Sequence, residues 1–173
     1  MMKPLILSSI AYKLSMNDKV GLTPEKEGGY GTNDGHMINI LQELLGAKYA
    51  IDSAYRSFSD RIRGPWRDSL VDHWHEHAKE ERQNQYDIAM KLVGMGADPM
   101  ISVITVPQCP SNLEAFCVCL AKMELEAINK SRELISLSGD NTSMKVFAEN
   151  VILTDTQHLD DLRRLSDSVH KAL

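Results

Sequence analysis

The sequence predicts an all-α fold, a four-helix bundle with one long crossover, and three observations carry that prediction. Apolar residues recur at spacings of three and four through four long stretches, as amphipathic helices require. Only Ile101 to Val106 reads as a run suited to a strand. The connections between the stretches run short, long, short.

The elements follow in order. Residues 1–35 form an N-terminal extension, with a short apolar segment from Leu5 to Leu14 that suits a helix. A loop rich in glycine comes next, holding Gly21, Gly28, Gly29, Gly31 and Gly35. The bundle is expected over residues 36–173. Its first helix runs from about His36 to Arg63 on Met37, Leu41, Leu44, Ile51 and Tyr55, and Gly64-Pro65 ends it. The second runs from about Trp66 to Gly94. The third starts at Ser111, where Ser111-Asn112-Leu113-Glu114 reads as a capping box, and ends near Ser138-Gly139. The fourth follows Asn141-Thr142 and runs to the C-terminus.

Connection lengths set the topology. Short turns make helices one and two, and helices three and four, antiparallel neighbours. A helix of roughly 28 residues is about 42 Å long. The connection from Gly96 to Pro110, extended at roughly 3.3 Å per residue, can run that whole length.

Composition narrows the function classes. The 173 residues suffice for one domain with a full core. No apolar run approaches the length of a membrane span. The start, Met1 to Leu7, is apolar, but Ser8 and Ser9 break it and no clear cleavage site follows, so a signal peptide is not expected. A net charge of −5 offers nucleic acid no electrostatic footprint, and the lysines of the extension alternate with acids, so duplex binding is not expected. Three cysteines do not make a disulfide framework, and a reducing, cytoplasmic setting is expected. Cys117 and Cys119, two apart on a helix, read as packing residues. Cys109, flanked by prolines in the long connection, would be reactive if exposed.

The chemistry lies in polar breaks within the apolar faces. The fourth helix presents Phe147, Val151, Asp155, His158, Leu162, Leu165 and Val169 inward. An acid and a histidine three apart in that seam must be paired, hydrated or bound. The first helix has Lys48 and Asp52 between Leu44 and Tyr55. The second has His73, His77, Glu81 and Asn84 in line with Leu70 and Ile88. The third has Glu124 between Leu120 and Ile128. Four helices that each place polar groups near mid-length point to one shared site. Carboxylates with imidazole suit iron, manganese or zinc. His73 and His77 share a face, but the third and fourth helices offer Leu120, Leu159 and Leu162 at that depth. A hydrogen bond from His77 to Asp52 is therefore expected there in preference to a second metal site.

Several of these segments carry a resemblance to a known family. They are Leu44 to Ser57, His77 to Asn84 leading into Met90 to Pro99, Met123 to Ile135, and Asp155 to Leu162. Together they resemble the bacterioferritin and Dps-like branch of the ferritin-like superfamily, over about residues 37–170. The resemblance implies a bundle that oxidises ferrous iron at a two-iron centre, often within a hollow homo-oligomeric shell. The family places a glutamate on helix one, Glu-x-x-His on helix two, a glutamate on helix three and Glu-x-x-His on helix four. Carried over, Glu124 keeps its place, and Asp155 with His158 keeps the last pair with aspartate for glutamate. Glu81 keeps its carboxylate, but Asn84 stands for the histidine and Lys48 for the first glutamate.

These departures remove both terminal ligands of one iron. The expectation is a protein that binds iron or another divalent transition metal, at most one ion per chain, through Glu81, Glu124, Asp155 and His158. Asp52 and His77 would stand behind that set, and iron oxidation would be weak or absent. The other reading is a structural or assembly protein that keeps the bundle without the chemistry.

Overall fold

The computed structural model describes residues 32–63, 67–100, 106, 108–110 and 112–172, with side chains from residue 33 to residue 167. Among these residues four helices appear in order: α1 (Thr32–Arg61), α2 (Arg67–Gly94), α3 (Leu113–Leu137) and α4 (Thr142–Ala172). No strand occurs among the described residues. Most of the extension, the Gly64-Pro65 stop, Ser111 and most of the Ile101–Val106 run lie outside them.

Helix ends follow side-chain chemistry. α1 begins at Thr32, ahead of the predicted His36, because Gly35 is accommodated within the first turns instead of preceding them. α2 stops through a Schellman arrangement. Ala97 N donates to Leu92 O and Gly96 N to Val93 O, with Gly96 at φ 77°. The cap of α3 is Asn112, not the predicted Ser111: Asn112 Oδ1 accepts from Ala115 N at 2.8 Å. Asn141 Oδ1 accepts from Met144 N at 3.0 Å at the start of α4.

Contacts between helices give their directions. Lys48 of α1 meets Glu81 of α2, and Phe58 meets Trp74, so these helices are antiparallel. His36 pairs with Glu133, and Tyr55 with Glu124, which makes α1 and α3 antiparallel. Lys91 meets Ser143 and His77 meets Asp161, which makes α2 and α4 antiparallel. α2 and α3 are then parallel, and the connection between them must travel the length of the bundle, as the connection lengths predicted. α1 packs closely on α2 and on α3, and α3 on α4, whereas α2 and α4 barely approach each other.

The predicted apolar faces are buried, except that Leu165 is half-buried and Val169 lies outside the residues whose side chains are described. Leu41, Leu44, Ile51, Tyr55 and Phe58 of α1 meet Leu70, Trp74, Ile88 and Leu92 of α2 and Phe116, Leu120 and Leu134 of α3. Phe58 stacks on Phe116 with ring centroids 3.6 Å apart, and Trp74 meets both edge-on, which closes one end of the core.

The cysteines correct the sequence reading. Cys109, buried in the crossover, is disulfide-bonded to Cys119 of α3. Their Cα atoms lie 5.9 Å apart, within disulfide range. The course of the crossover brings them together. Cys119 packs against the core as predicted but is also bonded, and Cys109 is not an exposed thiol. Cys117 does pack in the core, where burial pushes its thiol up to about 12.

Candidate metal centre

Five polar side chains meet at mid-bundle because each sits on the inward face of its helix. Lys48, Glu81, Glu124 and Asp155 are wholly buried, and His158 is 1% exposed. Leu44 and Ile51, one turn either side of Lys48, carry the α1 seam past it, so the lysine stem has no path outward along that face. It does not snorkel. Its ammonium lies among all three carboxylates: it contacts Asp155 Oδ1, lies 3.0 Å from Glu81 Oε2, and is 3.8 Å from Glu124 Oε2.

His158 is held from both sides. Its Nδ1 lies 3.1 Å from Glu81 Oε1 and 3.2 Å from Glu124 Oε1, and its Nε2 lies 2.7 Å from Glu80 Oε2. Two ring nitrogens that both face carboxylates are both donors, so this ring is an imidazolium. Burial works against the charge, but the hydrogen bonds to Glu124 and Glu81 outweigh it and raise the group to about 10. Lys48 follows the same logic. Burial disfavours its charge, yet Glu81, Asp155 and Glu124 hold it protonated well above the ordinary range. Among the acids, burial lifts Asp155 to about 7 against the pull of Lys48. Burial and the Glu81 charge also raise Glu124. Glu81 goes down: burial opposes its ionisation, but Lys48 and His158 outweigh that. Tyr55 donates to Glu124 Oε1 at 3.1 Å, and burial drives its own hydroxyl pKa well up.

Single donor atoms of Glu81, Glu124, Asp155 and His158 all lie within 4.8 Å of one another. Glu124 Oε2 and Asp155 Oδ2 are buried and accept no hydrogen bond. That donor set fits one divalent ion. Fewer ligands are left for a second. No carboxylate comes from α1, the Lys48 cation occupies the cluster, and Asn84 supplies only a buried amide, whose Nδ2 has no partner.

The expected partners of His77 need correction. Asp52 does not bond to it. Both Asp52 oxygens are taken by arginines, Oδ2 by Arg56 Nη2 at 2.6 Å and Oδ1 by Arg82 Nη1 at 3.1 Å. A bidentate carboxylate between two guanidinium groups has little left for a ring nitrogen. His77 turns towards α4, where its ring centroid is 4.2 Å from that of His158. Its Nε2 lies 3.1 Å from His73 Nε2 and 3.6 Å from Asp161 Oδ2. Burial, with His158 and His73 beside it, lowers its pKa to about 3, so the ring is neutral.

Sequence reasoning therefore missed Glu80 and Asp161. Each flanks the inward face, next to Glu81 and Leu162 respectively, and a helical wheel assigns both to the surface. The available signal was the run of polar residues on both sides of the α2 seam, which suits a wet groove.

Comparisons with known proteins come to the same architecture. Residues 38–171 match the family model described as a ferritin-like domain. Among solved structures, a ferritin-like diiron-carboxylate protein of Bacillus anthracis str. Ames superposes with a TM-score of 0.74 at 20% identity, over 79% of this chain and 99% of that one. The bacterioferritin-related protein of Bacteroides fragilis, a dodecameric thioferritin, gives 0.71 at 16% identity, over 80% of this chain and 89% of that one. Dps of Thermosynechococcus elongatus gives 0.71 at 10% identity, over 77% and 91%. No curated protein matches the sequence.

Proposed function

This chain belongs to the ferritin-like domain family, and we propose that it is a ferritin-like metal-binding protein that takes at most one divalent ion in its core. The ion is iron or another transition metal, and two-iron oxidation is slow or absent. The observation behind this reading is Lys48 Nζ, fully buried and within 3.0 Å of Glu81 and 3.8 Å of Glu124 while contacting Asp155. An ammonium there supplies the positive charge that a metal would otherwise bring to a carboxylate cluster.

Glu81, Glu124, Asp155 and His158 would hold the ion, and bound iron would supply one-electron chemistry. The residues must rearrange for it. Lys48 withdraws its ammonium from Asp155 and Glu81, and His158 gives up its Nδ1 proton so that this nitrogen can ligate. Both steps oppose binding, so affinity is low and rises with pH.

Lys48 equally supports the second reading, a structural or assembly protein whose core needs no metal. Three carboxylates facing a lysine and an imidazolium are nearly charge-balanced as they stand. Anaerobic ferrous titration separates the two readings. The wild-type chain is expected to hold no more than one iron that Glu124→Gln removes. The pair Lys48→Glu with Asn84→His should raise that number. Two such irons in the wild type would overturn the proposal. No core iron in either protein leaves the structural reading.

Assembly as a homo-oligomer belongs to the same proposal. Tyr86, Met90 and Val93 form an exposed apolar stripe along α2, and Val146 and Leu153 lie exposed on α4. Faces of this kind suit contact with further copies of the chain. Light scattering on the full-length protein is expected to give a mass of several chains, and a monomer would remove the oligomer.

A further inference from the structure

We infer that His73 and His77 of α2 and Asp161 of α4 form a second metal site, outside the core cluster, that takes one divalent transition ion of the zinc class. Its place in the fold is the groove where α2 and α4 diverge. An open cavity of about 380 Å³ lies there, lined among others by His73, His77, Glu80, His158, Asp161 and Arg164.

The two histidines share one hydrogen bond between their Nε2 atoms, and neither of them satisfies Asp161. Asp161 Oδ2 is 3.7 Å from His73 Nε2 and 3.6 Å from His77 Nε2, too far for a hydrogen bond to either. The two Nε2 atoms lie 3.1 Å apart and can share at most one proton when both rings are neutral. Three ligand atoms therefore surround a gap. Tetrahedral zinc bound at about 2.0–2.2 Å keeps neighbouring ligand atoms roughly 3.3–3.5 Å apart. The three separations here, 3.1, 3.6 and 3.7 Å, bracket that spacing.

The supporting contacts fit the same role. Arg164 Nη1 lies 3.5 Å from Asp161 Oδ1, which leaves Oδ2 facing the histidines. His77 is packed against Tyr55 and His158, with ring centroids 5.3 and 4.2 Å away, so its ring is held in place. His73 and Asp161 are partly exposed, which opens the remaining coordination position to water. Two imidazoles and one carboxylate select zinc, or iron, cobalt or nickel in its place, over magnesium or calcium. Lys48 is not among the contacts of this set. The cations that border it, His158 and Arg164, each face carboxylates of their own, Glu80, Glu81 and Glu124 for His158 and Asp161 Oδ1 for Arg164. His158 divides the two sites, with its Nδ1 on the core carboxylates and its Nε2 on Glu80.

Cobalt(II) and zinc(II) titrations of the full-length protein test the site, followed by calorimetry and by the visible bands of imidazole-bound cobalt. His73→Ala and Asp161→Asn alter partly exposed residues and should keep the wild-type helical circular dichroism. Each is expected to weaken zinc binding at least about tenfold and to change the cobalt bands. His75→Ala, an exposed α2 histidine outside both ligand sets, should leave both readouts in place. Absence of zinc binding in the wild type would overturn the inference. So would unchanged binding in both groove variants, or loss of the cobalt bands in His75→Ala alone.

Discussion

Lys48→Met should be the most damaging single substitution in the bundle core, costing about 3–5 kcal/mol in a urea unfolding series. Methionine fills much the same volume, so packing loss is minor. What changes is the charge. Glu81, Glu124 and Asp155 stay wholly buried, with His158 as the only cation left among them in the described residues. Removing one partner of a buried ionic network exposes the desolvation penalty of the others. Added divalent metal separates this cause from packing. If the ammonium stands in a cation position, an ion at a hundred times its dissociation constant returns about 2.7 kcal/mol to the variant. A loss below about 1 kcal/mol would mean that the carboxylates are not charged in the fold, whatever their distances. A large loss that metal cannot relieve would mean that Lys48 is a strut and not a substitute cation.

Much of this cluster was legible from residue type and period alone. Lys48, Glu81, Glu124 and Asp155 stand at positions where apolar residues three and four away are buried, and a helix has only one face to offer the core. The connection lengths then fix which helices run together, and four seams that each carry a polar break must meet at similar heights. What the period cannot give is lateral reach. Asp161 precedes the buried Leu162 and reads as surface, yet it meets His77 because α2 and α4 stand apart along a groove. The Asp52–His77 bond failed for a related reason. Arg56 is one turn from Asp52 on α1 and Arg82 faces it from α2, and a guanidinium outcompetes a neutral ring for a carboxylate. The Cys109–Cys119 bond depends on the path of an irregular crossover, which hydrophobic spacing does not encode.

The pH profile of stability should run opposite to that of a typical acidic protein across the neutral range. His158 is held near 10 in the fold against an ordinary 6.5. A raised basic group stabilises fully below its unfolded value and loses that contribution as pH climbs through its folded one. Stability in metal-free buffer should therefore fall between 6.5 and 10, by roughly 3–5 kcal/mol in total. Asp155 acts in the same sense lower down. Its carboxyl rises from 3.8 to about 7, so the folded chain keeps a proton that the unfolded chain releases, and its contribution declines across that window, where His77, lowered to about 3, contributes in the opposite sense. Glu81 runs the other way, since its pKa is lowered, and its contribution is lost only in acid, as pH falls through that lowered value. Thermal unfolding of the wild type and of His158→Gln, stepped from 6.5 to 10, isolates the histidine. The wild-type midpoint should drop steadily while that of the variant, lower at the start, stays nearly level. Parallel curves would mean that His158 is neutral in the fold. The ring would then need to lose no proton before binding metal, and the metal-free charge balance that favours the structural reading would no longer hold.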